Sequence, residues 1–319
     1  MLKEILLFIG GMVVMVVGGE LLVRGAAGMA LRSKISKLMV GLTIVAFGTS
    51  APELFVSVQT SLDRESDLAM GNIIGANICN LALILGLTSL ITQVNINIDS
   101  IKIDWPMAMG SSLLLFLMAA EGYLVRHEGI FFLMVSSAYI YFLIQKAKKD
   151  RKIAALHTAE LNIKDSDKTD MVYWLKDMTF IVVGSVALLF GSEWFVDGSI
   201  LIFQDLGMSQ RIIGLFVLAI GTSLPELVTS LIAATRHDAD IAVGNLMGSN
   251  IFNVMAILGI TSIIKTIHVS DEILKDMIWM LGITLIILPM MVYNRKLGKT
   301  HGVILLGIYV YYLYSLTSL

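Results

Sequence analysis

The chain is a succession of apolar runs, and that pattern leaves few ways to fold. A membrane-crossing helix needs about 20 mostly apolar residues. Such stretches fall near 4–30, 36–62, 68–91, 105–121 and 127–146, then near 172–203, 209–235, 240–265, 276–293 and 300–318. A polar segment rich in Lys, Asp, Glu and Thr runs from Lys146 to Asp170 between the two groups. Of the 319 residues, 56% are hydrophobic and only 15% charged, with a mean hydropathy of +0.82, far from a soluble domain. The expected fold is all-α, a polytopic membrane protein of ten transmembrane helices. The first apolar run, Ile5 to Gly19, has an interior counterpart from Phe180 to Ser192, so it reads as a span and not a cleaved leader. A net charge of −2 argues against a nucleic-acid partner. The single cysteine, Cys79, excludes an intrachain disulfide and reads as inert packing.

The two groups of five are copies. Glu226 follows Glu53 by 173 residues, and the same offset maps Glu20 on Glu193, Gly41 on Gly214, Gly71-Asn72 on Gly244-Asn245 and Leu85-Gly86 on Leu258-Gly259. From Gly18 to Leu87 the copies align without a gap, with about a third of positions identical. Residues 1–147 form one repeat, 148–171 a linker and 172–319 the second repeat. An odd number of spans per repeat turns the second copy upside down, the inverted-repeat plan of secondary transporters. Basic residues gather in alternate connections: Arg32, Lys34 and Lys37; Lys146, Lys148, Lys149, Arg151 and Lys152; Arg295, Lys296 and Lys299. By the positive-inside rule that side is cytoplasmic, and both termini lie outside. The linker reads as a solvated tether.

Each repeat carries a carboxylate beside a proline in the middle of an apolar run: Gly48-Thr49-Ser50-Ala51-Pro52-Glu53 and Gly221-Thr222-Ser223-Leu224-Pro225-Glu226. A charge at bilayer depth is costly and marks a functional site. The proline removes a helix hydrogen bond and frees a carbonyl four residues back. Ala46, Thr49, Ser50 and Glu53 share one helical face, and Ala219, Thr222, Ser223 and Glu226 repeat it. The following run of each repeat has a polar stripe, Asn72, Ala76 and Asn80 in one and Asn245, Ser249 and Asn253 in the other, with Asn77 and Asn250 alongside. Carboxylates, hydroxyls and amide or backbone carbonyls are oxygen ligands for hard cations. Glu20 and Glu193 read as helix-pairing or interfacial. The five histidines show no metal-ligand spacing. No HExxH, P-loop, GxSxG or cysteine pair occurs, so the chain reads as no enzyme, with no cofactor and no protein partner evident; energy for transport comes from an ion gradient.

At these residues the chain resembles the calcium/cation antiporter superfamily, and within it the prokaryotic sodium/calcium exchangers. Their two α-repeats carry a Gly-Thr-Ser-x-Pro-Glu helix followed by a Gly-Asn-x-x-Gly-Ser/Ala-Asn helix; here they read GTSAPE with GNIIGANICN and GTSLPE with GNLMGSNIFN. The resemblance implies a calcium site of Glu53, Glu226 and the carbonyls of Thr49 and Thr222. It implies flanking sodium sites of Ala46, Ser50 and Glu53 on one side and Ala219, Ser223, Ser249 and Glu226 on the other, with Asn80 and Asn253 at a central site. Two positions depart from the pattern. Ala76 stands where members often carry a hydroxyl, and Asn253 where some carry an aspartate, which argues against potassium dependence. The function implied is exchange of Ca2+ for Na+ by alternating access in the plasma membrane. A proton/calcium antiporter using the same glutamates is the alternative, with a passive cation channel further behind.

Overall fold

A computed structural model describes residues 2–62, 66–160, 171–206 and 221–317. Helix α1 is Leu2–Ser33. Lys37–Thr49 (α2) and Ala51–Leu62 (α3) are one span bent by 44° at Ser50. Helix α4 runs from Ser66–Ile78 through a π-helical turn, Cys79–Ile84, into Leu85–Ile91. Ser100–Ala119 (α5) and Arg126–Glu160 (α6) complete the first repeat. The second repeat has α7, Met171–Asp205; α8, Leu224–Thr235; α9, Ala239–Ile264; α10, Asp271–Val292; and α11, Lys299–Thr317. Seven of the described helices are long and apolar enough to cross a membrane, and the bent pair makes an eighth. With α8 and α11 they follow the order of ten spans. The first half of the stretch expected at 209–235 and residues 161–170 of the linker lie outside the described residues.

The drop in hydropathy at Lys146 does not end α6. Lys, Ala, Leu, Arg and Glu are strong helix formers, and the helix continues to Glu160, past the boundary expected at 147.

Two small ribbons show that the repeats are inverted. Strand β1, Val94–Asn95, lies between the third and fourth spans and pairs with β4, Lys296–Leu297, between the ninth and tenth. Strand β2, Tyr123–Leu124, lies between the fourth and fifth and pairs with β3, Ile267–His268, between the eighth and ninth. The third connection of one repeat therefore meets the fourth connection of the other. Direct repeats would join like with like. Lys146, near the end of the first repeat, pairs with Asp99 at 2.6 Å on the β1–β4 face. Lys296 lies in β4 itself, so two of the three basic clusters share one face.

Helices α4 and α9 are the centre: 78% of each apolar window is buried, against 17–33% for the other spans. They are apolar on nearly every face, as helices enclosed by other helices must be. Helices α1 and α7 pack antiparallel along a seam of glycines spaced by seven, Gly11, Gly18 and Gly25 against Gly184, Gly191 and Gly198. A Cβ on Gly184 would stand 2.6 Å from the Leu22 amide nitrogen and 2.7 Å from the Gly18 carbonyl oxygen. Small residues let membrane helices approach this closely, and dispersion contacts then hold them. The long pair is thus a single unit leaning chiefly on α2 and α8. Gly184→Val is expected to lower the thermal midpoint of the detergent-purified protein, with a loss of about 1–3 kcal/mol for an overpacked contact. Gly10→Ala, where a Cβ meets nothing within 4 Å, is the control and is expected to leave the midpoint unchanged.

Candidate functional site

The candidate site forms where the bent span α2–α3 and helix α8 meet the two central helices. Pro52 and Pro225 lack the N–H that a continuing helix would need. In the first repeat the break falls at Ser50, which has φ −82° and ψ 11°. In the second it falls at Ser223, with φ −84° and ψ 4°, and α8 starts afresh with Pro225 in its first turn. Each glutamate therefore sits in the first turn of a new helix whose N-terminus lies at the centre of the protein. Irregular backbone at membrane depth is tolerated where it lines a site or cavity. The π-helical turns Cys79–Ile84 and Asn253–Ile257 occupy matching places in α4 and α9 and carry Asn80 and Asn253. Such turns frequently mark functional positions.

A network of crossed hydrogen bonds joins the repeats, each bond having a mate 173 residues away. Asn80 Nδ2 donates to Asn250 Oδ1 at 3.0 Å, and Asn253 Nδ2 to Asn77 Oδ1 at 3.0 Å. Asn77 Nδ2 donates to the Asn250 carbonyl at 3.2 Å, and Asn250 Nδ2 to the Asn77 carbonyl at 3.4 Å. The Thr49 hydroxyl donates to Asn245 Oδ1 at 3.0 Å, and that of Thr222 to Asn72 Oδ1 at 3.2 Å. Asn72 and Asn245 in turn donate to Ser57 and Ser230 of their own repeats. Asn77 and Asn250 are thus positioning residues. By accepting from the amide nitrogens of Asn253 and Asn80 they leave those two amide oxygens uncommitted.

Those oxygens belong to a larger set. Glu53 Oε1 and Oε2, Glu226 Oε2, Asn80 Oδ1, Asn253 Oδ1 and Ser223 Oγ are all buried without a hydrogen-bond partner among the described residues. Both glutamates are wholly buried and close enough to repel each other. Neither takes part in a described salt bridge. A buried carboxylate without a partner costs several kcal/mol, and two that face each other cost more. Every uncommitted atom is an oxygen, and among the described residues no group of three or more His, Cys, Asp and Glu side chains gathers. The arrangement suits a hard cation and not a thiophilic one.

The structure brings Ser50, Ser249 and Glu226 together, with Glu53 close to Glu226, and ties Thr49 to Asn245, Thr222 to Asn72, Asn80 to Asn250 and Asn253 to Asn77. Ala46 is buried beside them, and its carbonyl accepts the Ser50 amide at 3.0 Å. Ala219 lies outside the described residues. Ser50 sits with the opposite glutamate: its Oγ is 3.1 Å from Glu226 Oε1 and 3.0 Å from Ser249 Oγ, while Ser249 Oγ is 3.4 Å from the same Oε1. Spacing alone placed Ser50 with Glu53 on one helical face. The break at Ser50 turns the hydroxyl across the junction. Asn77 and Asn250, left open between site and helix pairing by the sequence, act through Asn253 and Asn80; only knowledge of which repeat faces which could have assigned them. Glu20 ties α1 to the end of α8 through Arg236, which it accepts at 2.8 Å, and also pairs with Arg24. Its counterpart Glu193 lines a cavity of about 560 Å³ with Asp197, Pro52, Phe55, Gly221 and Thr222.

A helical membrane protein of two inverted repeats, with two buried carboxylates and uncommitted oxygens where they meet, has the plan of ion-coupled secondary transporters. The family described as sodium/calcium exchanger protein matches residues 3–145 and 176–318, and the chain is a member of it. A protein named CaxA from Alkalimonas amylolytica is 34% identical over 328 residues, covering 100% of both chains. The sodium/calcium exchanger MaX1 of Methanosarcina acetivorans is 30% identical over 339 residues, covering 97% of each. Among solved structures, the sodium-calcium exchanger NCX_Mj superposes with a TM-score of 0.85 at 25% identity over 99% of both chains.

Asn77→Leu removes the acceptor of Asn253 and one donor to the Asn250 carbonyl. The expected result is a lower thermal midpoint equivalent to about 1–3 kcal/mol, read by unfolding of the purified protein, together with weaker calcium protection against heat than the native chain shows.

Proposed function

We propose that the protein is an antiporter that exchanges Ca2+ for Na+ across the cell's inner (plasma) membrane by alternating access. One observation carries this reading: two wholly buried carboxylates with no cationic partner among the described residues, in helices that also carry or adjoin uncommitted neutral oxygens of Asn80, Asn253 and Ser223. Family membership and the likeness to proteins named sodium/calcium exchangers support the same choice of ions. Calcium is held by the carboxylates of Glu53 and Glu226 and the carbonyls of Thr49 and Thr222. Sodium occupies flanking positions built from Ala46, Ser50, Ala219, Ser223, Ser249 and the same two glutamates, with Asn80 and Asn253 between them.

Antiport follows from electrostatics. One Ca2+ neutralises both carboxylates. Adding Na+ to the same oxygens would bring cations within a few ångströms of each other in a low-dielectric site, where repulsion is many kcal/mol. Calcium and sodium therefore exclude each other, and an empty site, with two facing carboxylates bare, resists burial between the two faces. Only a loaded site reorients. The long α1–α7 pair, knitted by its glycine seam, slides against the other eight spans to expose one side or the other. The basic connections lie on the cytoplasmic face, with the linker there and both termini outside. Calcium leaves the cell as sodium enters.

In proteoliposomes loaded with sodium, diluted into choline medium with pH clamped on both sides, calcium uptake is expected and depends on internal sodium. Uptake driven only by a pH gradient would establish proton/calcium exchange instead. Glu53→Gln and Glu226→Gln each remove one of the two charges that balance calcium. Losing one charge of a buried ionic cluster costs about 3–5 kcal/mol, so each variant is expected to lose at least about 100-fold in calcium uptake at limiting calcium.

A further inference from the structure

Away from the glutamates, a groove of about 870 Å³ runs between α10 and α11. Two glycines open it. Gly282 and Gly307 line it from the two helices, and a Cβ on either would meet nothing within 4 Å. This is the reverse of the α1–α7 seam, where glycines bring backbones into contact. Ile278, Ile286, Ile304 and Tyr311 stand exposed along the walls. Between the lining residues Glu272 and Ile286, α10 rises about 21 Å. One leaflet's share of the hydrocarbon core is about 15 Å, so the groove is long enough to take an acyl chain from headgroup to midplane.

The first repeat is built differently at the matching place. The offset of 173 relates the ribbon strands of the two repeats, Val94 to Ile267 and Tyr123 to Lys296. It puts Met109 and Met134 where the second repeat has Gly282 and Gly307. Asp99 and Lys102 match Glu272 and Lys275, so both repeats carry an acid and a base at this end of the span. In the first repeat the Lys146 ammonium pairs with Asp99 at 2.6 Å. The residue matching Lys146 is Leu319, whose side chain brings no ammonium. The second repeat thus keeps the acid but replaces the lysine above the groove and the two long side chains along it.

The chemistry of the mouth identifies the occupant. Glu272, Lys275 and Asp276 share one face of α10, being three and four residues apart. One turn further in, the Trp279 ring meets Tyr311 and Tyr312 edge-on at 5.7 and 5.8 Å. Charges, then aromatic rings, then an apolar channel is the order of polarity along a phospholipid. Lys275 suits a phosphate, and Glu272 suits an ammonium that still carries N–H donors, as Lys146 does for Asp99.

We propose that this groove binds one phospholipid with a primary-amine headgroup, of the phosphatidylethanolamine class. Its acyl chain lies along Gly282 and Gly307, its phosphate at Lys275 and its ammonium at Glu272. The site is separate from the glutamate centre and does not depend on which cations are exchanged.

Native mass spectrometry tests this on the full chain, stripped of lipid in detergent and offered equal amounts of phosphatidylethanolamine, phosphatidylcholine and phosphatidylglycerol. Choline has the same charge as ethanolamine but no N–H. One phosphatidylethanolamine is therefore expected to be retained about tenfold better than phosphatidylcholine, the advantage of a hydrogen bond to a charged group. Equal retention of the two, or a preference for phosphatidylglycerol, overturns the inference. Gly307→Leu fills the groove and is expected to abolish retention. Gly110→Leu, at a glycine of α5 whose Cβ also meets nothing within 4 Å, is the control and is expected to retain the lipid. Glu272 is exposed, so Glu272→Gln leaves the packing intact. It is expected to erase the preference for ethanolamine over choline. Retention unchanged in Gly307→Leu, or a preference unchanged in Glu272→Gln, overturns the assignment of the lipid to this groove.

Discussion

Two buried carboxylates close enough to repel each other, with no cationic partner among the described residues, are the constraint on which this structure rests. Uncompensated, Glu53 and Glu226 would cost several kcal/mol each. The surroundings lower that cost only in part. The breaks at Ser50 and Ser223 place each glutamate in the first turn of a helix, where the macrodipole favours negative charge. The crossed asparagine bonds consume donors and leave acceptors free. Among the described residues no arginine or lysine pairs with either glutamate. The described ion pairs, Arg32 with Asp177, Lys37 with Asp238 and Arg236 with Glu20, lie nearer the helix ends and tie elements together there.

Symmetry supplies the second layer of the explanation. An inverted repeat gives a single site two equivalent approaches, which is what alternating access needs. The ribbons pairing β1 with β4 and β2 with β3 are related to each other by the same axis, so the scaffold on the two faces is nearly identical. The halves still differ at a few matched pairs. Ala76 against Ser249 replaces a hydroxyl by a methyl group. Glu20 against Glu193 changes the surroundings: one is clamped by arginines, while the other lines an acidic cavity with Asp197. A fold that treats its two faces alike can still transport in a preferred manner if a few such pairs differ.

Much of this was legible in the sequence. Apolar runs gave the helix order. The shared offset of 173 gave the repeat, and an odd span count gave its inversion, which the ribbons confirm. The proline–glutamate motifs marked the helix breaks at Ser50 and Ser223. What was not legible has physical causes. Hydropathy marks where a helix leaves the membrane and not where its hydrogen bonds stop, so the continuation of α6 to Glu160 was read as tether. Helical periodicity describes a continuous helix, so it could not show that the break at Ser50 turns that hydroxyl toward Glu226. The role of Asn77 and Asn250 depends on contacts across the two repeats, and no spacing within one repeat encodes them. The glycines at intervals of seven in α1 and α7 are plain in the sequence, but their meaning requires knowing that these two helices are partners.

The central claim is that one pair of glutamates serves both ions at one site. Equilibrium calcium binding to the purified protein, titrated at a series of sodium concentrations, tests it most directly. The account predicts one Ca2+ per chain, displaced completely by sodium, with the apparent calcium dissociation constant rising more steeply than in proportion to sodium. Calcium that stays bound at saturating sodium would contradict it, because the two ions would then occupy separate sites.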